Sequence, residues 1–224
     1  GEFIAVMDSD DVAMPDRLAR QVAFLRQHPD VVCVGGANNW IDEAGRLLVT
    51  QIEPQGDANI QDWLLKGRTC INHPSAMMRR QAVLHVGGYD ESFAQAEDLD
   101  LFLKLGELGK LENLPDVVLS YRQHDRSISG AKQRQDIAYR RLACERAWQR
   151  RGIAGTFEIT QPWRPIDRSS RQQYLLHYGW RFFNTGQRWA AIVYGWRAVV
   201  AMPHKLDSWK LLICALIKPL PKPS

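Results

Sequence analysis

Two rhythms of apolar and polar positions divide this chain. Short apolar runs at 3–7, 31–36 and 75–78, with briefer ones at 111–114 and 117–121, predict buried strands. Residues 38–41 and 47–50 flank Asp42-Glu43-Ala44-Gly45, a turn signal, and predict a hairpin. Apolar residues three and four apart predict helices over 15–28, with Leu18, Val22 and Leu25 on one face, over 57–65, near 81–86, and from Asp98 through Leu99, Phe102, Leu103 and Leu105. After Gly130 the pattern is helical throughout: a long basic helix over 131–151, a Gly- and Pro-containing linker over 152–166, then helices over 168–183, 187–201 and 205–217. Trp189, Ile192, Val193, Trp196 and Val200 recur at helical spacing and are expected to form core; Gly186, Ala190, Ala198 and Pro203 loosely resemble one tetratricopeptide-type hairpin.

The chemistry concentrates where the first run ends. Asp8-Ser9-Asp10-Asp11 places three carboxylates within four positions. Like charges so close repel and raise each other's pKa, and a divalent cation with oxygen ligands removes that cost. Three readings fit. Asp as an N-cap, with Pro15 in a first helical turn, accounts for one or two of the acids. Asp8 to Val12 also fits the D-x-D-x-[TV] pattern of haloacid-dehalogenase phosphatases, in which the first Asp is a nucleophile. The third reading is the D-x-D motif of nucleotide-sugar transferases.

The later motifs decide between them. His73-Pro74-Ser75 with Arg79-Arg80 comes next. Gly87-Gly88-Tyr89-Asp90, Glu97-Asp98-x-Asp100 and Tyr121-Arg122-x-His124 follow in that order. Taken together over residues 1 to about 130, the series resembles family 2 inverting glycosyltransferases. The resemblance implies a partial GT-A mixed α/β sheet followed by an all-helical extension. It makes Asp98 the general base. Asp8, Asp11 and Arg122 would bind the donor, and Asp10 and His124 would bind a metal, Mg²⁺ or Mn²⁺. His73, Glu97 and Asp100 would line the acceptor side or the cleft. It further implies a nucleoside-diphosphate sugar donor and a glycan or lipid-linked acceptor, with surface polysaccharide assembly as the setting.

The family's opening strand and its base-reading Asp are not found before Asp8. The chain is therefore expected to be the C-terminal portion of such an enzyme, poorly soluble and weakly active by itself. Three parts are expected: 1–130 as half of the transferase domain, 131–166 as basic helix and linker, and 167–224 as helical hairpin plus basic amphipathic helix. The alternative from another class is a non-catalytic transferase remnant that docks to a membrane or a partner.

Charge sharpens the division. Residues 1–120 hold 10 Lys and Arg against 19 Asp and Glu, a net −9, whereas 121–224 carry +13. A basic tail suits an anionic partner. No nucleic-acid motif appears, so a membrane surface is the expected one. The run Leu211 to Ile217, flanked by lysines and Trp209, is too short to span a bilayer, which needs about 20 residues. It reads equally as an interfacial helix or as one packed on the preceding hairpin. The expected location is cytoplasmic, peripheral at the inner face of the membrane. Cys33, Cys70, Cys144 and Cys214 lack metal-site or disulfide spacing and are expected as free buried thiols.

Overall fold

The computed structural model describes residues 1–123, 130–158 and 167–220, the side chains of 130–134 excepted. It forms two compact units. Among the described residues, one holds 1–123 together with 134–158, which includes most of the helix over 130–151, and the other holds the three helices that follow.

The first unit is built on a mixed six-stranded sheet. Its strands are β1 (Phe3–Ala5), β2 (Val12–Ala13), β3 (Val31–Ile41), β4 (Leu47–Gln51), β5 (Met77–Arg79) and β6 (Lys110–Arg122). They run in the order β1-β5-β3-β6-β2, with β4 paired to β3. β3 and β6 are parallel neighbours, and the other pairings are antiparallel. β1, β3 and β6 therefore point the same way and end at one edge, where the acidic turn begins.

Two expectations about strand length give way to longer elements. The strand from Val31 does not stop at Gly36 but continues into the predicted hairpin. The glycines permit close packing: a Cβ at Gly36 would lie 2.9 Å from the Val118 methyls, and one at Gly35 would lie 2.3 Å from Asn113 Oδ1. The runs at 111–114 and 117–121 are one strand, because Leu114 pairs with Gly36 and Val117 with Ala37, leaving Pro115 and Asp116 bulged out of register. Proline lacks the N–H that a ladder needs, and a bulge accommodates it.

The sheet separates two apolar layers, and β3 contributes residues to both. Cys33 joins the larger layer, with Ile60 and Leu64 of α2 (Asp57–Leu65), Val83 of α3 (Arg80–His85), Leu99 and Phe102 of α4 (Glu97–Leu105), and Ala143, Cys144 and Ala147 of α5 (Gly130–Arg151). Val34 joins the smaller layer with Leu25, Met77 and Val118. α5 thus supplies core to the sheet unit. All four cysteines are free and buried.

α1 (Arg17–Gln27) buries a different face from the one predicted. Leu18 is 55% exposed, while Arg17, Gln21 and Leu25 are buried and Val22 is half-buried. The cause is hydrogen bonding. Arg17 Nη2 donates to the carbonyl of Val6 at 2.8 Å. Arg17 Nε donates to Gln21 Oε1 at 3.1 Å, and Gln21 Nε2 donates to the carbonyls of Ser75 (2.8 Å) and Val34 (3.2 Å). Buried carbonyls require donors, and a polar stripe at i, i+4 supplies them where an apolar one could not.

The second unit packs α6 (Arg168–Asn184), α7 (Arg188–Ala201) and α8 (Leu206–Ile217). Asp167 caps α6: its carboxylate accepts from Ser170 N at 2.7 Å, and the Ser170 hydroxyl accepts from the Asp167 N–H in return. α7 and α8 run antiparallel, since Arg188 at the start of α7 donates to Ala215 O near the end of α8 at 2.6 Å. Of the stripe expected as core, Ile192 and Val193 are half-buried and the rest turns outward. Trp189 is 74% and Trp196 57% exposed, and Val200 is exposed with them. α7 buries Ala190, Ala191, Tyr194, Gly195 and Ala198. A Cβ at Gly195 would stand 2.9 Å from Leu212 Cα, so the helices approach through small residues, leaving no room for tryptophan between them. α6 buries Leu175, Tyr178 and Phe182, which recur at helical spacing.

Candidate active site

The acidic turn carries the chain from β1 to β2 across the carboxyl edge of β3 and β6, the edge where open α/β sheets bind ligands. The apolar run leaves the strand at Ala5, earlier than its length predicts. Arg17 then fixes the segment from below, through Val6 O and a 3.4 Å contact with Met7 Sδ. Burial lowers the pKa of this guanidinium, and the charge of Asp11 opposes that shift.

Asp8 and Asp10 lie exposed on the turn, and Asp11 is buried. Asp11 Oδ1 accepts from Arg122 N at 2.7 Å, while its Oδ2 is buried with no hydrogen-bond partner. Desolvation pushes its pKa up to about 6. The Arg122 N–H pulls the other way, and Asp10 and Asp8 add to the rise. The Arg122 guanidinium is engaged with backbone carbonyls: Nε donates to Asp10 O at 2.7 Å, and Nη1 to Asp42 O and Glu43 O at 3.1 Å each. Arg122 ties the end of β6 to both the acidic turn and the β3–β4 turn, so its charge faces inward as a clamp.

The second group of predicted residues gathers around Tyr89. Gly87 and Gly88, at φ of 81° and 70°, occupy the left-handed region that glycine tolerates. Asp90, next in the chain, is anchored by Arg146 of α5 at 2.9 Å. Between these restraints the Tyr89 hydroxyl shares a 2.7 Å hydrogen bond with His73 Nε2. His73 opens a 3-10 turn (His73–Ser75) just before β5, and its ring also meets Phe102 edge-on. The Tyr89 pKa is pushed up to about 12, first by burial and then by the charge of the Asp98 carboxylate.

Asp98 is half-buried at the start of α4, where its Oδ1 accepts from Leu99 N at 2.8 Å; Glu97 beside it is exposed. Ala96, immediately before, has φ of 59°, a left-handed conformation strained for any side chain and common at functional loops. Asp100 goes elsewhere. Two residues on along a helix is the opposite face, and Asp100 is fully buried with Lys104 as its 2.5 Å ion-pair partner. It belongs to the core side of α4, not to the cleft. His124 lies outside the described residues.

Among the described residues, no three His, Cys, Asp or Glu side chains converge as a metal site. The donor set at the turn suits a hard divalent cation, since Asp8 and Asp10 are exposed carboxylates and the Asp11 Oδ2 is a buried oxygen without a hydrogen-bond partner. Two side chains escaped the sequence analysis. Tyr89 stood inside a quoted motif without a role. Arg17 carried no signal beyond its i, i+4 spacing from Gln21.

Residues 1–149 match the model of the family described as "Glycosyltransferase like family 2". Among curated proteins, the O-antigen biosynthesis glycosyltransferase WbnJ of Escherichia coli is 34% identical over 140 residues, 61% of this chain and 52% of its own. The amylovoran biosynthesis glycosyltransferase AmsE of Erwinia amylovora is 31% identical over 120 residues, 53% of this chain and 44% of its own. The chain spans about half the length of the curated relatives it matches. Among solved structures, the mannosyltransferase PcManGT from Pyrobaculum calidifontis, in complex with GDP-Man and Mn²⁺, aligns with a TM-score of 0.44 at 17% identity. That alignment covers 98% of this chain and 57% of the other.

Proposed function

The chain belongs to glycosyltransferase like family 2, and from that premise we propose that it carries the acceptor-side catalytic part of an inverting transferase. The enzyme would move a sugar from a nucleoside-diphosphate donor to a glycan or lipid-linked acceptor during surface polysaccharide assembly. The observation that supports this reading is the acidic turn itself: Asp8, Asp10 and Asp11 follow β1 at the carboxyl edge of the parallel strands β3 and β6, tied there by the 2.7 Å hydrogen bond from Arg122 N to Asp11 Oδ1.

Asp98 is the general base. A carboxylate that takes the proton from an acceptor hydroxyl lets the oxygen attack the anomeric carbon as the diphosphate leaves on the opposite face, which inverts the centre. Asp8 and Asp11 serve the donor, with Arg122 holding their turn in place. Asp10 would hold a Mg²⁺ or Mn²⁺ ion, which when bound neutralises charge on the leaving diphosphate. His73 orients Tyr89 at the cleft wall, and Glu97 lies on the acceptor side. No helix among the described residues is long and apolar enough to cross a membrane. Peripheral association at the inner face of a membrane, where lipid-linked acceptors are presented, completes the reading.

Asp98→Asn tests the central assignment. The expected result is a fall in sugar transfer of about 10² to 10⁴-fold with donor affinity unchanged by calorimetry. Near-normal transfer by the variant would remove Asp98 as the base.

A further inference from the structure

The helical unit turns a large apolar face outward. On α7 the exposed side chains include Trp189, Trp196 and Val200; on α8 they include Trp209, Ile213 and Ile217. Both helices bury their opposite faces. Gly195 of α7 meets Leu212 of α8, and Gly179 of α6 meets Tyr194 and Leu211. Gln172 Nε2 of α6 donates to the hydroxyl of Ser208 of α8 at 3.0 Å. The outward stripes are thus those turned away from α6. Exposed clusters of this size mark an interaction surface.

The flanking charge selects the partner. Between Arg188 and Leu220 the chain carries Arg188, Arg197, Lys205, Lys210 and Lys218 against Asp207 alone. Lys205, Lys210 and Lys218 are exposed. A second copy of this chain would set like charges against each other across the face. An anionic lipid surface matches both features: lysines meet headgroups, and tryptophans settle at the boundary between headgroups and acyl chains. α8, with twelve residues, is about 18 Å long and too short to span the hydrocarbon, so it would lie in the interface plane.

We propose that the outward face of the α7–α8 hairpin docks on an anionic bilayer, with Trp189, Trp196 and Trp209 inserted at the headgroup boundary. The surface extends beyond the last helix to α7. This deepens the membrane-location part of the proposed function, and because vesicle binding requires neither donor nor acceptor, its failure would leave the transfer reading intact.

The test is co-sedimentation of the full chain with phosphatidylcholine vesicles that do or do not contain phosphatidylglycerol. The chain should bind the anionic vesicles about tenfold or more tightly, with tryptophan emission quenched by lipids brominated near the headgroup. Trp189→Ser/Trp196→Ser should weaken binding about tenfold, with the melting temperature preserved because both side chains are exposed. Lys205→Glu/Lys210→Glu/Lys218→Glu should abolish the preference for phosphatidylglycerol. Three outcomes would overturn the proposal: no binding to anionic vesicles, unchanged binding by the tryptophan variant, or a dimer that the tryptophan substitutions abolish in a chain that binds no vesicles.

Discussion

The sheet unit and the helical unit invert the usual distribution of side chains in opposite ways. In the sheet unit α1 buries an arginine and a glutamine and exposes Leu18. In the helical unit α7 buries alanines and glycine and exposes two tryptophans. Each inversion follows from what lies opposite. α1 covers strand ends whose carbonyls need donors, whereas α7 covers helices whose backbones are already satisfied and can approach closely. A buried polar stripe thus marks a helix that organises a site, and an exposed apolar stripe marks one with a further surface to meet.

The contrast can be broken most forcefully at Arg17. Arg17→Ala removes the donors to Val6 O and Gln21 Oε1 and should cost about 3 kcal/mol in denaturant unfolding of the sheet unit. A loss below about 0.5 kcal/mol would mean that water replaces the guanidinium. Gly195→Val tests the other side. Its Cβ would press on the Leu212 backbone, and about 2 kcal/mol should be lost from the helical unit alone.

Glu53 supplies a pH-dependent contrast confined to the sheet unit. Burial raises its pKa to about 7, and a hydrogen bond from Asn38 opposes the shift. The folded state therefore holds its proton more tightly than the unfolded chain. Stability from this group is present below the unfolded value of about 4.3 and falls as pH rises toward 7. Thermal melts should show a loss on the order of 2 kcal/mol from this group over that window, which Glu53→Gln should remove while leaving the smaller loss of the same sign from Asp11. The smallest effect is expected for Trp189→Ser, below about 0.5 kcal/mol, because the side chain is exposed. A loss of about 3 kcal/mol or more would restore the core reading of the α7 stripe.

Much of the fold was legible because periodicity reports local structure. The turn of the β3–β4 hairpin, α2 and α4 lie within a residue or two of the expected positions. The acids at Asp8, Asp10, Asp98 and Glu97 were likewise readable as motifs. Asp100 was not separable from Asp98 by motif alone, since only the helix phase sends it to Lys104. Arg122 looked like a phosphate ligand because a positive charge beside an acidic motif gives no hint that its donors face carbonyls.

The amino-acid pattern by itself determined which segments are strands and helices, where the acidic turn sits, and that an acidic half joins a basic one. Those properties depend on near neighbours in the chain, through backbone geometry and side-chain period. Only the tertiary structure decided which stripe of α1 and α7 is covered, that Tyr89 pairs with His73, and that Arg122 clamps rather than reaches. Those outcomes depend on which groups distant in sequence must satisfy one another's hydrogen bonds and volumes, and no local period encodes them.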